Sequence, residues 1–426
     1  MGSRRFKTVL FVVFAVMAAG LQRAHAEILY DYLDLGTFGG RSSRAYDINN
    51  RGQVVGYAER TMTGTVPVYE WDPADPFGFR ITGYTQGTVT RTNAFVYDYR
   101  RGTMVSLGEP TEHSEAYAIN DSGQIVGSVG FSDDKKKAFV AKKGFIRSFS
   151  LPSGPIDSSV AKDINNAGQI VGNSYSPGYA WFSTSYHSLE NATVYQSLLG
   201  AASHVNAINS QGQIVGFSYL NSNSTGPVHA TLLSGQTVTD LRTLGVGRNS
   251  YAWDINDLGQ VAGTSEYQQS YPSSMQHAVI FSGGTIQDLG TLHPGEISWA
   301  NAINNLGEVV GQSGWAGFLY KNGQMYDLNQ LTSLPAGWSL YSATGINDLG
   351  QIVGYARDES GATEHAFLLT PHVGVNITGY AIDVTTLQFS MASTVTPEPG
   401  TLVLCLAGFG MVGLFGLRRV KRQHRD

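Results

Sequence analysis

The stretch "AYDINNRGQVVGYA" (residues 45–58) returns along the chain as "AYAINDSGQIVGSV" (116–129), "AKDINNAGQIVGNS" (161–174) and "AWDINDLGQVAGTS" (252–265). The Ile-Asn core occurs seven times, with its asparagine at Asn49, Asn120, Asn165, Asn209, Asn256, Asn304 and Asn347. Successive asparagines are 71, 45, 44, 47, 48 and 43 residues apart. One insertion aside, the period is about 45 residues, the length of a four-stranded propeller blade. In each copy a strand ends on isoleucine, an Asn-x-x-Gly turn follows, and a second strand begins. Asparagine suits the first position of a type I turn and glycine the left-handed position that closes it. The glycines are Gly52, Gly123, Gly168, Gly212, Gly259, Gly307 and Gly350.

A calcium loop competes for these residues, because "DINDLG" (254–259) resembles an acidic cation loop. Such a loop wants oxygen ligands at alternating positions and a bidentate glutamate downstream. The fifth position is instead Arg51, Ser122, Ala167, Gln211, Leu258, Leu306 or Leu349, so no metal is expected.

Two more strands complete the repeat. The third is apolar: "NAFVY" at 93, "KAFVA" at 137, "YAWFS" at 179, "HATLL" at 229, "HAVIF" at 277, "AGFLY" at 316 and "HAFLL" at 365. The fourth is a "DLG"-like strand, whose first copy, Asp34-Leu35, precedes the first Ile-Asn turn, while none follows "HAFLL". A chain that begins on a fourth strand and ends on a third can pair its termini, which closes a ring and protects the sheet edges. The expected fold is therefore all-β, a seven-bladed β-propeller over residues 27–371, with an open solenoid as the alternative. Small residues before the asparagine (Ala45 and Asp47, Ala161 and Asp163, Ala300 and Ala302) suit tightly packed sheets. The position three before it (Tyr46, Tyr117, Lys162, Asn206, Trp253, Asn301, Thr344) varies within a constant frame and suggests a surface facing the axial channel.

The first repeat carries an excess of about 25 residues, spread over 59–91, and insertions in repeat folds map to loops that often bind. Tyr69, Trp71, Phe77, Phe79 and Tyr84 there suit stacking on sugar rings.

Both ends carry processing signals. Residues 1–26 combine Arg4, Arg5 and Lys7, an apolar run over 9–19, and Ala24-His25-Ala26, the pattern of a secretory signal peptide cut after Ala26. A linker over 372–396 leads to Pro397-Glu398-Pro399. The uncharged apolar run 401–417 then reads as a transmembrane helix, with Arg418, Arg419, Lys421 and Arg422 holding the tail in the cytoplasm.

Composition agrees with export. The one cysteine, Cys405, lies in the apolar run, so the body has neither a disulfide nor a thiolate site. Charged residues are 14% of the chain, against about 25% in an average soluble domain. The net charge of -5, with no basic cluster outside the termini beyond residues 135–137, argues against nucleic acid.

The tail, residues 397–426, resembles the PEP-CTERM sorting signal. That resemblance implies an exosortase-type enzyme that recognises Pro397, Glu398 and Pro399 and removes the helix, so membrane attachment is transient. The Asn-x-x-Gly-Gln-Ile/Val-Val-Gly hairpins, the "HAF" at 365 and the "AF" at 94 and 138 resemble the HAF-repeat extracellular proteins over roughly residues 30–370. This second resemblance implies a surface or matrix location and supplies no catalytic residues.

No H-E-x-x-H, G-x-S-x-G or Walker loop is present, and no cofactor is expected. Two functions follow from this reading. One is a non-enzymatic binding or structural module among extracellular polysaccharides. The other is an exported propeller enzyme, a glycoside hydrolase or lyase, for which Glu70, Asp72 and Asp75 are available carboxylates.

Overall fold

The alternation of short β-branched runs with glycine turns is realised as strands almost throughout. The computed structural model describes residues 29–71, 79–108, 112–130, 136–142, 145–149, 158–175, 182–188, 191–195, 203–221, 226–268 and 275–372. All lie within the first of two compact units of the chain, Met1–Val375. The described residues contain 28 strands and a 3-10 turn, Leu328–Gln330, and none of their helices is long and apolar enough to cross a membrane. The signal peptide with Ala24 and Ala26, Phe77, the apolar run 401–417 and Pro397-Glu398-Pro399 fall outside the described residues.

The strands form five four-stranded sheets and one eight-stranded sheet. Each four-stranded sheet is an antiparallel meander of one sequence repeat, such as Ser203–Ile208, Ile214–Tyr219, Val228–Ser234 and Thr237–Arg242. The eight-stranded sheet holds the first and last repeats, which meet at one parallel pair, Ser42 with Glu364. The last repeat contributes Trp338–Ile346, Ile352–Asp358 and Glu364–Pro371, and its fourth strand is Tyr30–Gly36 from the N-terminus. That strand pairs antiparallel from Tyr30 opposite Pro371 to Gly36 opposite Ala366.

The core lies between neighbouring sheets. One cluster joins Val55 and Ala94 of the first repeat to Ala116, Ile125 and Phe139 of the second. Ala45, Ala116, Ala161, Ala252, Ala300 and Ala343 have no exposed surface, because first strands approach each other closely at these positions. The glycine of each "QIVG" strand has a similar reason. A Cβ on Gly127 would overlap the carbonyl of Glu115 and lie 2.8 Å from the ring of Phe139, so the third-strand phenylalanine requires its absence.

The insertion is an outgrowth of an ordinary hairpin. Gln53–Trp71 and Phe79–Asp98 pair continuously, so residues 59–71 and 79–92 prolong the second and third strands of the first repeat as a two-stranded ribbon.

Candidate functional site: the cavity at the asparagine turns

The seven Asn-x-x-Gly turns converge on one cavity of ≈ 190 Å³, lined by residues from every repeat. Each turn is a local unit first. Asn49 Oδ1 accepts the N–H groups of Arg51 and Gln53, both at 3.0 Å, Gly52 N–H returns to Asn49 O at 3.0 Å, and Gly52 sits at φ +74°. The carboxamide nitrogen is then free for two further bonds. One goes to Gln53 Oε1 at 2.9 Å and the other to Asn120 O of the next repeat at 3.0 Å. The same donation runs from Asn120 to Asn165, Asn165 to Asn209, Asn209 to Asn256, Asn256 to Asn304, Asn304 to Asn347 and Asn347 back to Asn49, at 2.9–3.1 Å. The seven turn asparagines are therefore brought to one cavity, and each has a cross-repeat role as well as a turn role.

The next position adds a second cycle that the turn argument did not anticipate. Asp121 Oδ1 accepts Asn50 N–H at 2.9 Å, and Asn166, Asp257, Asn305, Asp348 and Asn50 accept in the same way from Asp121, Ser210, Asp257, Asn305 and Asp348. The signal was an Asx residue after six of the seven asparagines, with Ser210 the exception.

A third set lies one step deeper. Asp47 accepts Ile48 N–H at 2.7 Å with one oxygen and Ile119 N–H of the next repeat at 2.8 Å with the other. Asp163 spans Ile164 and Ile208 likewise, and Asp254 spans Ile255 and Ile303. Ala118, Ala207, Ala302 and Gly345 occupy this position in the other repeats, so three carboxylates serve six repeats in pairs. Desolvation raises the acid pKa of Asp47 to about 6, Asp163 to about 7 and Asp254 to about 6, against the opposing pull of their backbone hydrogen bonds. The sequence groups Asp47 and Asp163 with the alanines as small packing residues. The alanines pack, whereas the aspartates bridge.

Each second strand runs antiparallel away from its turn, so the starts of the first strands and the long ribbon lie on the side away from the turns. Along the first strands, the variable position three before each asparagine is half-buried. Asn206 donates to Ala252 O, Asn301 to Ala343 O and Thr344 to Ala45 O, each at 2.8 Å, so these polar members tie one repeat to the next. The remaining members are aromatic or cationic. Tyr46 stacks on Tyr117 at 5.5 Å, and Lys162 Nζ stands 4.7 Å from the centroid of Tyr117. Farther round, His204 stacks on Phe217 at 4.7 Å, Phe217 meets the Tyr251 ring edge-on at 5.1 Å, and Tyr251 stacks on Trp253 at 5.8 Å.

The other sequence candidates lie elsewhere. Tyr84 is 69% exposed on the ribbon, opposite Pro67. Tyr69 and Trp71 take register positions opposite Ile81 and Phe79 near its tip. The "HAF" histidines pair with fourth-strand aspartates: His229 with Asp240 at 2.9 Å, His277 with Asp288 at 2.9 Å and His365 with Asp34 at 2.8 Å. Among the described residues no group of three or more His, Cys, Asp or Glu is placed to hold a metal ion.

The architecture is all-β, and the similar solved structures are propeller-like. The acylaminoacyl peptidase of Pyrococcus horikoshii matches with a TM-score of 0.48 and 10% identity over 79% of this chain and 52% of that one. This chain thus spans about half the length of that peptidase. The β-propeller domain of the Trilobed protease from Pyrococcus furiosus matches at 0.46 and 9% identity, covering 76% and 95%, and TolB from Acinetobacter baumannii at 0.34 and 13%, covering 74% and 80%. No curated protein matches the sequence. At the C-terminus, residues 395–422 match the PEP-CTERM protein-sorting motif. The chain is an exported protein carrying a signal for recognition by an exosortase.

Proposed function

We propose that the body is a seven-bladed β-propeller closed by its N-terminal strand, and that the sorted protein is a binding or structural module held among extracellular polysaccharides. The cyclic donation from Asn49 through Asn347 and back to Asn49 supports the closed reading. On this reading the two halves of the eight-stranded sheet are adjacent blades. The HAF-repeat resemblance and processing at Pro397-Glu398-Pro399 belong to the same proposal.

The observation that carries the binding role is the pair of aromatic stacks on the first strands, Tyr46 with Tyr117 and Tyr251 with Trp253. Half-buried aromatic rings along a channel offer apolar faces on which sugar rings stack, with fixed orientation and little ordering cost. The insertion, whose sequence offers Tyr69, Trp71, Phe77 and Tyr84 for stacking, is the second candidate.

The test is co-sedimentation of the mature exported protein with its host's extracellular polysaccharide, with released sugar ends monitored in the same tubes. Binding without release that is lost in Trp253→Ala supports the module at the channel, and loss in Trp71→Ala instead moves the site to the ribbon. Release of sugar ends replaces the module with a polysaccharide-cleaving enzyme. Replacing Pro397-Glu398-Pro399 with alanines should leave a longer, membrane-held product, and an unchanged product would sink the sorting step.

A further inference from the structure

Leu258, Leu306 and Leu349 are 70%, 67% and 61% exposed. They hold the same place in three consecutive repeats, two residues after the turn asparagine. Each donates its N–H to that asparagine's Oδ1 at 3.1 Å, as Arg51, Ser122, Ala167 and Gln211 do in the other four repeats at 3.0–3.1 Å. The turn uses only the backbone at this position, and arginine, serine, alanine or glutamine serves it as well as leucine. The cavity is lined by the residues just before these leucines, Asp257, Asn305 and Asp348, and the leucines lie outside its lining.

The donations from Asn256 to Asn304 O and from Asn304 to Asn347 O set the three turns side by side, so the leucines form one apolar arc rather than three scattered residues. Asn347 in turn donates to Asn49 O, which brings the first turn next in line. Arg51 is exposed there, and Tyr99, 45% exposed, donates its N–H to Gly52 O at 3.2 Å. Arg100 and Arg101 follow, both exposed, with Asp98 accepting the Arg100 N–H and lying 3.9 Å from Arg101. The described chain leaves from the same face. Its last strand, Glu364–Pro371, ends at the Asn347 turn, where a Cβ on Gly350 would lie 3.6 Å from Pro371 Cγ. In sequence, residues 373–400 then lead to the apolar run 401–417.

We propose that this face docks on a lipid bilayer with anionic headgroups, Leu258, Leu306 and Leu349 entering the edge of the hydrocarbon while Arg51, Arg100 and Arg101 meet the phosphates. Exposed leucines bordered by arginine and tyrosine are the composition of an interfacial surface, in which the apolar side chains bury area and the long cations stay at the headgroups. The exit of the chain beside Leu349 favours a bilayer over other occupants, because the run that reads as a membrane helix follows from this face. Asp121, Asp257 and Asp348 stand at the cavity, each accepting an N–H from a neighbouring turn. Their charge opposes anionic lipid, so the leucines supply the larger share of the affinity and the arginines the preference among headgroups. The contact is separate from polysaccharide binding and does not depend on it.

The experiment is flotation of the mature exported protein with vesicles of phosphatidylcholine carrying roughly one third phosphatidylglycerol. The wild type should float with them. Leu258→Gln, Leu306→Gln and Leu349→Gln combined should weaken binding by about 10-fold or more, in a fold that already accepts glutamine at Gln211. Arg100→Gln with Arg101→Gln should weaken binding to these vesicles and leave binding to pure phosphatidylcholine unchanged. A wild type that does not float overturns the assignment. So does a triple variant that floats as well as the wild type, which would mean that the tail alone holds the membrane. Self-association of the wild type that the triple variant loses, without flotation of either, overturns it in favour of a second copy of this chain. A readout within one molecule is Leu306→Trp, whose added emission should shift to the blue when vesicles are supplied. An unchanged spectrum counts against the arc.

Discussion

His365 Nδ1 lies 2.8 Å from Asp34 Oδ2, joining two residues 331 positions apart on the last and first strands of one repeat. The same pair occurs inside single repeats as His229 with Asp240 and His277 with Asp288, each 11 positions apart. The first and last described strands therefore meet by the contact that a continuous repeat uses.

Desolvation raises the Asp34 pKa, but the hydrogen bonds from His365 and Gly36 N–H and the charge of His365 prevail, so the net shift is downward. A carboxylate with a lowered pKa contributes stability above its ordinary pKa and loses it as pH falls through the lowered value. Asp34→Ala should therefore cost about 0.5–1 kcal/mol at pH 7, a small value because the pair is partly exposed, and little at pH 2. Thermal melts at the two pH values read the difference. Removing residues 29–36 should cost on the order of 4 kcal/mol, since Tyr30 and Leu35 leave the core with them.

The asparagine cycle asks for one side chain that accepts and donates at once. Asn209 Oδ1 accepts the N–H groups of Gln211 and Gln213, while Nδ2 donates to Gln213 Oε1 and Asn256 O. Aspartate keeps the acceptor but turns a second oxygen toward two acceptors, in a site where the residue is 3% exposed. Asn209→Asp should therefore destabilise by about 2–4 kcal/mol, at least as much as Asn209→Ala. Urea unfolding of the two variants decides the order, and a milder effect for aspartate would contradict the donor role.

The bridging aspartates predict a pH dependence of the opposite sign to that of Asp34. Desolvation raises the pKa of Asp163 to about 7, so its contribution is full below the ordinary carboxylate pKa and is lost as pH rises through 7. His204, lowered to about 4, works against this by losing stability as pH falls below the ordinary histidine value, so the wild-type curve alone mixes the two. The difference between wild type and Asp163→Asn separates them. The variant should lose on the order of 1–2 kcal/mol more at pH 5 than at pH 8, measured as the shift in urea midpoint.

The parts of this architecture legible in sequence are those with local causes. Asn49 and Gly52 satisfy backbone requirements three residues apart, so their pattern shows in any one copy. The cross-repeat roles act over 43 to 72 residues, and over 298 between Asn347 and Asn49, and leave only a coincidence of register. A serine six positions before the asparagine illustrates this. Ser43, Ser114, Ser159, Ser203, Ser250 and Ser298 are all buried, and five of them accept the N–H of the "HAF" alanine in the preceding repeat at 2.8–3.0 Å. The column of serines was visible but had no meaning until the neighbouring repeat was known. In sequence Lys162 is only variation in register, since its approach to the Tyr117 ring depends on how adjacent first strands meet.

One gap in the second cycle gives the sharpest test of the cross-repeat reading. Six repeats accept a neighbouring N–H with an Asx side chain, but the acceptor due to Asn166 N–H would have to come from position 210, where serine is one bond too short. Ser210 N–H itself still donates to Asp257 Oδ1 at 2.9 Å, so the backbone there already follows the common course. Ser210→Asn should complete the cycle without adding charge beside Asp257 and raise stability by about 0.5–1 kcal/mol. Ser210→Asp should gain less, because its carboxylate faces that of Asp257 across the same junction. Slowed exchange of the Asn166 amide in Ser210→Asn is the direct readout. An unchanged exchange rate would mean that the cycle tolerates its gap and that the Asx residues serve their own turns alone.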